Sequence, residues 1–345
     1  MSLTTEVFGT TKDGQEVTKY TITNSNGMKI SALNYGAILS EMIVPDQNGK
    51  LEDIVLGFDD VAGYEVNNCF FGAFIGRHGN RIGDARFELN GTTYELEKND
   101  GKNNLHGGTP GYHKVMYQAD AADNHVTFTR VSPDMEQGYP GNLEISMTYT
   151  LTDENELKID YEMKSDKDTL CNPTNHTYFN LKGHNGGTIT DHTLYIKANG
   201  FTETSEDLIP NGTIVDVTGT PMDFRTAKKI SQDIGADYEP LHVAGGYDHN
   251  FVLDKEEGKL EKVAEVSEET TGRKMEIYTD LPGMQLYSGN FIEKENGKAG
   301  ATYTYRTGVC FETQYFPNSI NLPNFKSCVL KAGETFRSTT IYKFV

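Results

Sequence analysis

Apolar and polar residues alternate with a period of two along most of this chain. The longest such run extends from Leu143 to Met163. Leu143, Ile145, Met147, Tyr149 and Leu151 alternate with mostly polar neighbours, Asp153, Glu154 and Asn155 supply a turn, and Leu157, Ile159, Tyr161 and Met163 resume the pattern. Successive side chains of a strand point to opposite faces, so the pattern predicts a long antiparallel hairpin with one buried face. Val126 with Phe128, Leu194 with Ile196, and Phe336 through Tyr342 to Phe344 repeat it. Turns between strands are expected at Asp13-Gly14, Asn26-Gly27, Asn48-Gly49, Asn90-Gly91, Asn211-Gly212 and Asn296-Gly297. Helical spacing is confined to Thr226 to Ile234 and Asp59 to Tyr64. Strands spread over the whole length, with no linker, low-complexity segment or break in composition. The expectation is an all-β chain with few short helices: one large antiparallel β-sandwich domain spanning residues 1–345.

Composition narrows the function more than the fold. The chain has 345 residues, and 50 acidic against 31 basic side chains give a formal charge of −19. That charge repels phosphate backbones and anionic lipid, so nucleic acid and membrane surfaces are not expected partners. No apolar run approaches the roughly 18 residues of a membrane span, and the N-terminus lacks the basic-then-apolar order of a secretory signal. The four cysteines, Cys69, Cys171, Cys310 and Cys328, are dispersed and form no CxxC. They read as reduced thiols of a cytoplasmic protein, with Cys171 and Cys310 acting as small buried apolar residues.

The candidate chemistry lies in segments where hydrogen-bonding residues crowd into apolar β sequence. FETQYFPNSINLP, 311 to 323, places one carboxylate, Glu312, among aromatics and away from other charge. Such a carboxylate tends to a raised pKa, which suits it to take and return protons near neutral pH. Phe311 and Tyr315 or Phe316 are expected to wall it. In NPTNHTYFNL, 172 to 181, alternation puts Thr174, His176 and Tyr178 on one face and Thr177 and Phe179 on the other. A histidine in a strand is commonly structural, but three neighbouring asparagines in a buried-looking run demand partners of their own. NNLHGG presents His106 before two glycines, and GRHGNRI offers Asn80 and Arg81, with Arg77 read as a structural residue that bonds loop carbonyls. In GGYDHNFVL, Asp248 and His249 are adjacent, so only one can face a given pocket. PGMQLYSGN adds Gln285. There is no HExxH, no close Cys/His cluster, no GxSxG elbow and no phosphate-binding loop, so no metal and no nucleotide cofactor is expected. The inventory fits a neutral, hydroxyl-rich ligand.

GRHGNRI, NNLHGG, GYPGNL, NPTNHTYFNL, GGYDHNFVL, PGMQLYSGN and FETQYFPNSINLP, in this order over essentially the whole chain, resemble the aldose 1-epimerase family, also called galactose mutarotases. The resemblance implies a galactose mutarotase-like supersandwich and a cleft across its concave sheet. It also implies a cofactor-independent interconversion of the α and β anomers of aldohexoses such as galactose and glucose. It makes Glu312 the general base, protonated His176 the general acid and His106 a second imidazole near the ring or anomeric oxygen. Asn80, Arg81, Tyr178, Asp248 and Gln285 become hydrogen-bonding residues for a monosaccharide, with no obligate protein partner. The chain departs from the family's usual residues at His78 and Gly79, between the two arginines.

Overall fold

The computed structural model describes residues 1–345. Leu143–Leu151 and Glu156–Ser165 form the expected hairpin, in register from Leu143 opposite Ser165 to Leu151 opposite Leu157. They sit inside a nine-stranded sheet whose order runs Gln118–Ala122, His125–Ser132, the hairpin, Thr335–Phe344, Lys274–Thr279, Glu261–Ser267, Thr193–Ile196 and Lys228–Lys229. A second, five-stranded sheet runs Pro210–Asp216, Ala198–Thr204, Asp248–Leu253, Gly283–Tyr287 and Cys310–Gln314. A third is a meander of the first five strands, from Ser2–Thr10 to Leu51–Asp53. All these ladders are antiparallel, and the inner faces of the sheets share one core of 53 buried residues from Ile22 to Phe344. The fold is the antiparallel β-sandwich that the alternation predicted.

Two contacts show how the first two sheets meet. The Tyr342 hydroxyl donates to the Phe311 carbonyl at 2.9 Å, and the hydroxyls of Thr313 and Thr340 lie 2.5 Å apart. Around them Phe251, Met284, Leu286 and Phe311 of the five-stranded sheet join Met147, Ile159 and Tyr342 of the nine-stranded one. Burying each such side chain contributes roughly 1.5–3 kcal/mol.

Some local expectations needed correction. Gly14, Gly27, Gly49 and Gly91 close tight turns at positive φ, as the pairs suggested. Asn211-Gly212, however, lies inside the Pro210–Asp216 strand, and its hairpin turns earlier, around Leu208 at φ 58°. Near Asn296-Gly297 the turn falls on Ala299 and Gly300 instead. Of the two helical segments, Asp60 caps a real helix, Val61–Val66. Thr226 to Ile234 is not a helix. Lys228–Lys229 pairs with Thr193 and Leu194 at the sheet edge, and the spacing of Ile230 and Ile234 buries both from a 3₁₀ turn and the loop after it. The second helix is Glu239–Ala244, entered through Pro240 and closed by Gly245 at φ 66°. No helix is long and apolar enough to cross a membrane. The four cysteines are unpaired, and Cys171 and Cys310 are buried.

Candidate active site

The site grows out of the pairing of three short strands. In the five-stranded sheet Gln285 lies opposite both Asn250 and Glu312, and Tyr287 opposite both Asp248 and Cys310. Residues directly opposite in an antiparallel pair share a face, and so do residues two apart on one strand. One face therefore collects Asp248, Asn250, Gln285, Tyr287, Glu312 and Gln314. The other collects His249, Phe251, Met284, Leu286 and Phe311. The apolar face closes the core, with the His249 ring packed on Phe201 at 5.6 Å. The polar face looks into a cavity of about 480 Å³.

Two further segments complete the walls. Thr174–His176 pairs with Ala73–Ile75 and delivers His176, with Tyr178 two residues on. Arg81–Ile82 pairs with Asn104–Leu105, which sets Asn80 and His106 side by side. Asn80 and His106 both adopt positive φ, 60° and 53°, and clasp each other. The His106 N–H donates to the Asn80 carbonyl, and the Asn80 N–H donates to His106 Nδ1, both at 3.1 Å. Gly107 must be glycine here, because a Cβ would stand 2.3 Å from the Gly76 carbonyl oxygen.

Seven of the eight residues singled out in the sequence line this one cavity: Asn80, Arg81, His106, His176, Tyr178, Asp248 and Glu312. Gln285 does not line it. It sits buried behind Asp248 and donates from Nε2 to Asp248 Oδ1 at 2.7 Å. Arg77 bonds the Pro140 and Gly141 carbonyls, Ser132 and Thr169, the structural role expected of it. The aromatic wall is not the one expected. Phe311 faces the core by strand alternation, Tyr315 packs on Phe336 and Phe316 on Phe325. The wall consists of Phe70, Tyr178 and Tyr287, whose ring centroids lie 5.6, 5.0 and 6.1 Å from that of His176. Tyr287 was readable, since it stands two residues beyond Gln285 on the same face. Phe70 was not: it reaches the cavity from a loop at φ 61°, where no periodicity points.

Glu312 and His176 are almost fully buried, 2% and 5% exposed, and Glu312 Oε1 lies 3.7 Å from His176 Nε2. Burial disfavours charge on either group. It drives the Glu312 carboxyl well above the usual carboxylate range, helped by the nearby Asp248 and opposed by Arg81. It pushes the His176 imidazole down to about 4. Burial therefore favours the uncharged form of each group, a neutral imidazole beside a protonated carboxyl. Burial also raises Asp248. His106 is driven well below its ordinary value by burial, with His176 and Arg81 adding to the effect. Because His106 Nδ1 accepts from the Asn80 amide, its proton sits on Nε2. His106, His176 and Glu312 bring ligand-type atoms within 4.8 Å of one another. That tautomer makes His106 a donor, with no lone pair on Nε2 to offer a metal.

An antiparallel sandwich that converges a carboxyl group, an imidazole and fixed hydrogen-bond donors on one cavity carries the groups that general acid–base enzymes use. The comparisons specify which kind. Residues 18–343 match the family model described as aldose 1-epimerase. The chain is 40% identical to a galactose mutarotase of Bos taurus over 347 residues, covering 100% of this chain and 99% of that one. It is 35% identical to an aldose 1-epimerase of Escherichia coli K12 over 336 residues, covering 96% of each. A crystal structure of an aldose epimerase homologue from C. elegans superposes with a TM-score of 0.87 at 30% identity, over 94% of this chain and 98% of that one. The chain belongs to the aldose 1-epimerase family. It is an isomerase that interconverts the α and β anomers of aldoses.

Proposed function

We propose that the sugar is an aldohexose such as galactose or glucose, and that Glu312 and His176 carry its ring opening and reclosure. The 3.7 Å contact between these two groups inside one cavity carries the reading. The C1 hydroxyl and the ring oxygen of a pyranose are bonded to the same carbon. Two adjoining groups can therefore serve both.

The single shared proton sets the sequence of events. Its transfer from Glu312 to His176 Nε2 makes carboxylate and imidazolium. The carboxylate takes the proton of the C1 hydroxyl while the imidazolium gives its proton to the ring oxygen, and the C1–ring oxygen bond breaks. The open-chain aldehyde then faces a protonated Glu312 and a neutral His176, the resting distribution. Rotation about C1–C2 turns the other face of the carbonyl to the ring hydroxyl. Reclosure runs the transfers backwards, with His176 taking the hydroxyl proton and Glu312 protonating O1. No proton is gained or lost over the cycle. Arg81 favours the carboxylate during the charged step. Each positioned transfer is worth about 10²–10⁴ in rate, or roughly 3–5 kcal/mol.

The other residues hold the sugar without freezing C1. His106 Nε2–H points a fixed donor at an oxygen near the reacting centre. Asp248, with Oδ1 held by Gln285, keeps its other oxygen for hydroxyl groups, and Asn80, Arg81 and Tyr178 donate to the rest. Polarimetry on freshly dissolved α-glucose and α-galactose tests the proposal. Both should reach equilibrium faster with enzyme than without. Binding of either sugar with no acceleration would overturn it.

A further inference from the structure

We infer that Gln314 is a positioning residue for Asp248, acting through Gln285. Gln314 is fully buried, stands two residues beyond Glu312 on the same face, and does not line the cavity. Its partner across the ladder is Gly283, whose missing side chain leaves room for Asn250 Oδ1 and the Phe316 ring. A Cβ at Gly283 would stand 2.6 Å from Asn250 Oδ1. Gln314 Nε2 donates to Gln285 Oε1 and to Asn250 Oδ1, each at 3.3 Å. Gln285 Nε2 in turn donates to Asp248 Oδ1 at 2.7 Å.

The chain of contacts has a direction. A primary amide can present either end, and only one end of Gln285 suits an ionised Asp248. A donor on the far side of Gln285, from Gln314, holds its carbonyl away and its NH₂ toward the carboxylate. The network is also incomplete. Gln314 Oε1 and Asn250 Nδ2 are buried without partners. Apolar residues of the same volume would suit the folded state better, so stability alone does not account for two amides here. What they supply is the orientation of Gln285, and through it a carboxylate held in one place for the sugar.

The inference rests on Asp248 being a sugar ligand, and the experiment separates the two. Gln314→Met keeps the volume and removes the donor. It should raise KM for glucose about 3–10-fold, the worth of one hydrogen bond, and leave kcat within about twofold. The bond from Gln285 favours the ionised carboxyl of Asp248. Loosening it should therefore move the acidic rise in KM to higher pH, which a purely structural role would not do. Gln285→Met should raise KM at least as much, and Gln285→Met/Gln314→Met should match Gln285→Met alone. Additive effects, or an unchanged KM in Gln314→Met beside a raised one in Gln285→Met, would overturn the inference. An unchanged KM in Gln285→Met would overturn it too, whereas an unchanged KM in Asp248→Asn would overturn the sugar-ligand reading instead. Should Gln314→Met fold poorly, Gln314→Glu turns an acceptor toward the Gln285 carbonyl and should raise KM as far or further.

Discussion

The Glu156–Ser165 strand of the nine-stranded sheet buries Leu157, Ile159, Tyr161 and Met163 and turns Lys158, Asp160 and Glu162 outward. The Cys310–Gln314 strand of the five-stranded sheet is buried on both faces, and one face is Cys310, Glu312 and Gln314. The two strands enclose the same core from opposite sides. On the first, every buried position but the terminal Ser165 is apolar, and burial stabilises. On the second, a carboxyl group and an amide are enclosed with atoms left unpaired, Glu312 Oε2 and Gln314 Oε1. Burial there costs stability, and the same desolvation gives Glu312 its raised pKa.

The contrast breaks first at Glu312. Glu312→Gln should lower kcat by about 10²–10⁴ with little change in KM, and it should leave the thermal midpoint unchanged or higher, because it removes a buried ionisable group. Loss of stability without loss of turnover would reverse the roles assigned to the two faces. Ile159→Ala should do the opposite, costing about 2–5 kcal/mol in a denaturant titration while turnover per folded molecule stays within about twofold. A large fall in kcat for that variant would mean the core and the site are coupled more tightly than their packing implies. Asp248→Asn lies between them. It should raise KM about 10–100-fold, the worth of a bond to a charged group, with kcat changed less than KM.

The same contrast explains what the sequence could reveal. Regular alternation made the hairpin at 143–165 and the Thr335–Phe344 strand legible, because only one side of each is buried. Asp248 and His249 were separable for the same reason, a period of two. Strands buried on both sides give no alternation of hydrophobicity, so which face of Cys310–Gln314 meets the cavity followed only from the assembled sheets. Gln285 was read as touching sugar because its type fits. Its place behind Asp248 depends on depth within the sheet, which spacing does not encode. Phe70 and the Asn80–His106 clasp depend on backbone conformations at positive φ in non-glycine residues, for which the local sequence carries no period. The lowering of the His176 imidazole was not legible, because it comes from burial, and burial is a property of the assembled walls.

The smallest effect expected is also the one that most directly tests the shared proton. Burial holds the folded His176 at about 4, below its unfolded value of 6.5, and holds Glu312 well above 4.5. The pair thus takes up a second proton only near pH 4 and loses its single proton only above the ordinary carboxylate range. Between these limits the protonation of the pair is constant, so kcat/KM, corrected for buffer catalysis, should show no inflection near 6.5, the ordinary imidazole value. Stability carries the opposite signature for the two groups. A depressed imidazole contributes stability that is fully present above 6.5 and is lost as pH falls toward 4, because the unfolded chain takes up the proton first. A raised carboxyl contributes stability that is present below 4.5 and is lost as pH rises through its folded value. His176→Asn should therefore lose less stability between about pH 6.5 and about pH 4 than the parent, while Glu312→Gln should gain on the parent as pH rises. A rise in kcat/KM as pH falls from about 7 to about 5.5, tracking an imidazole of ordinary pKa, would place the resting proton on His176 and leave two independently titrating groups in place of one coupled pair.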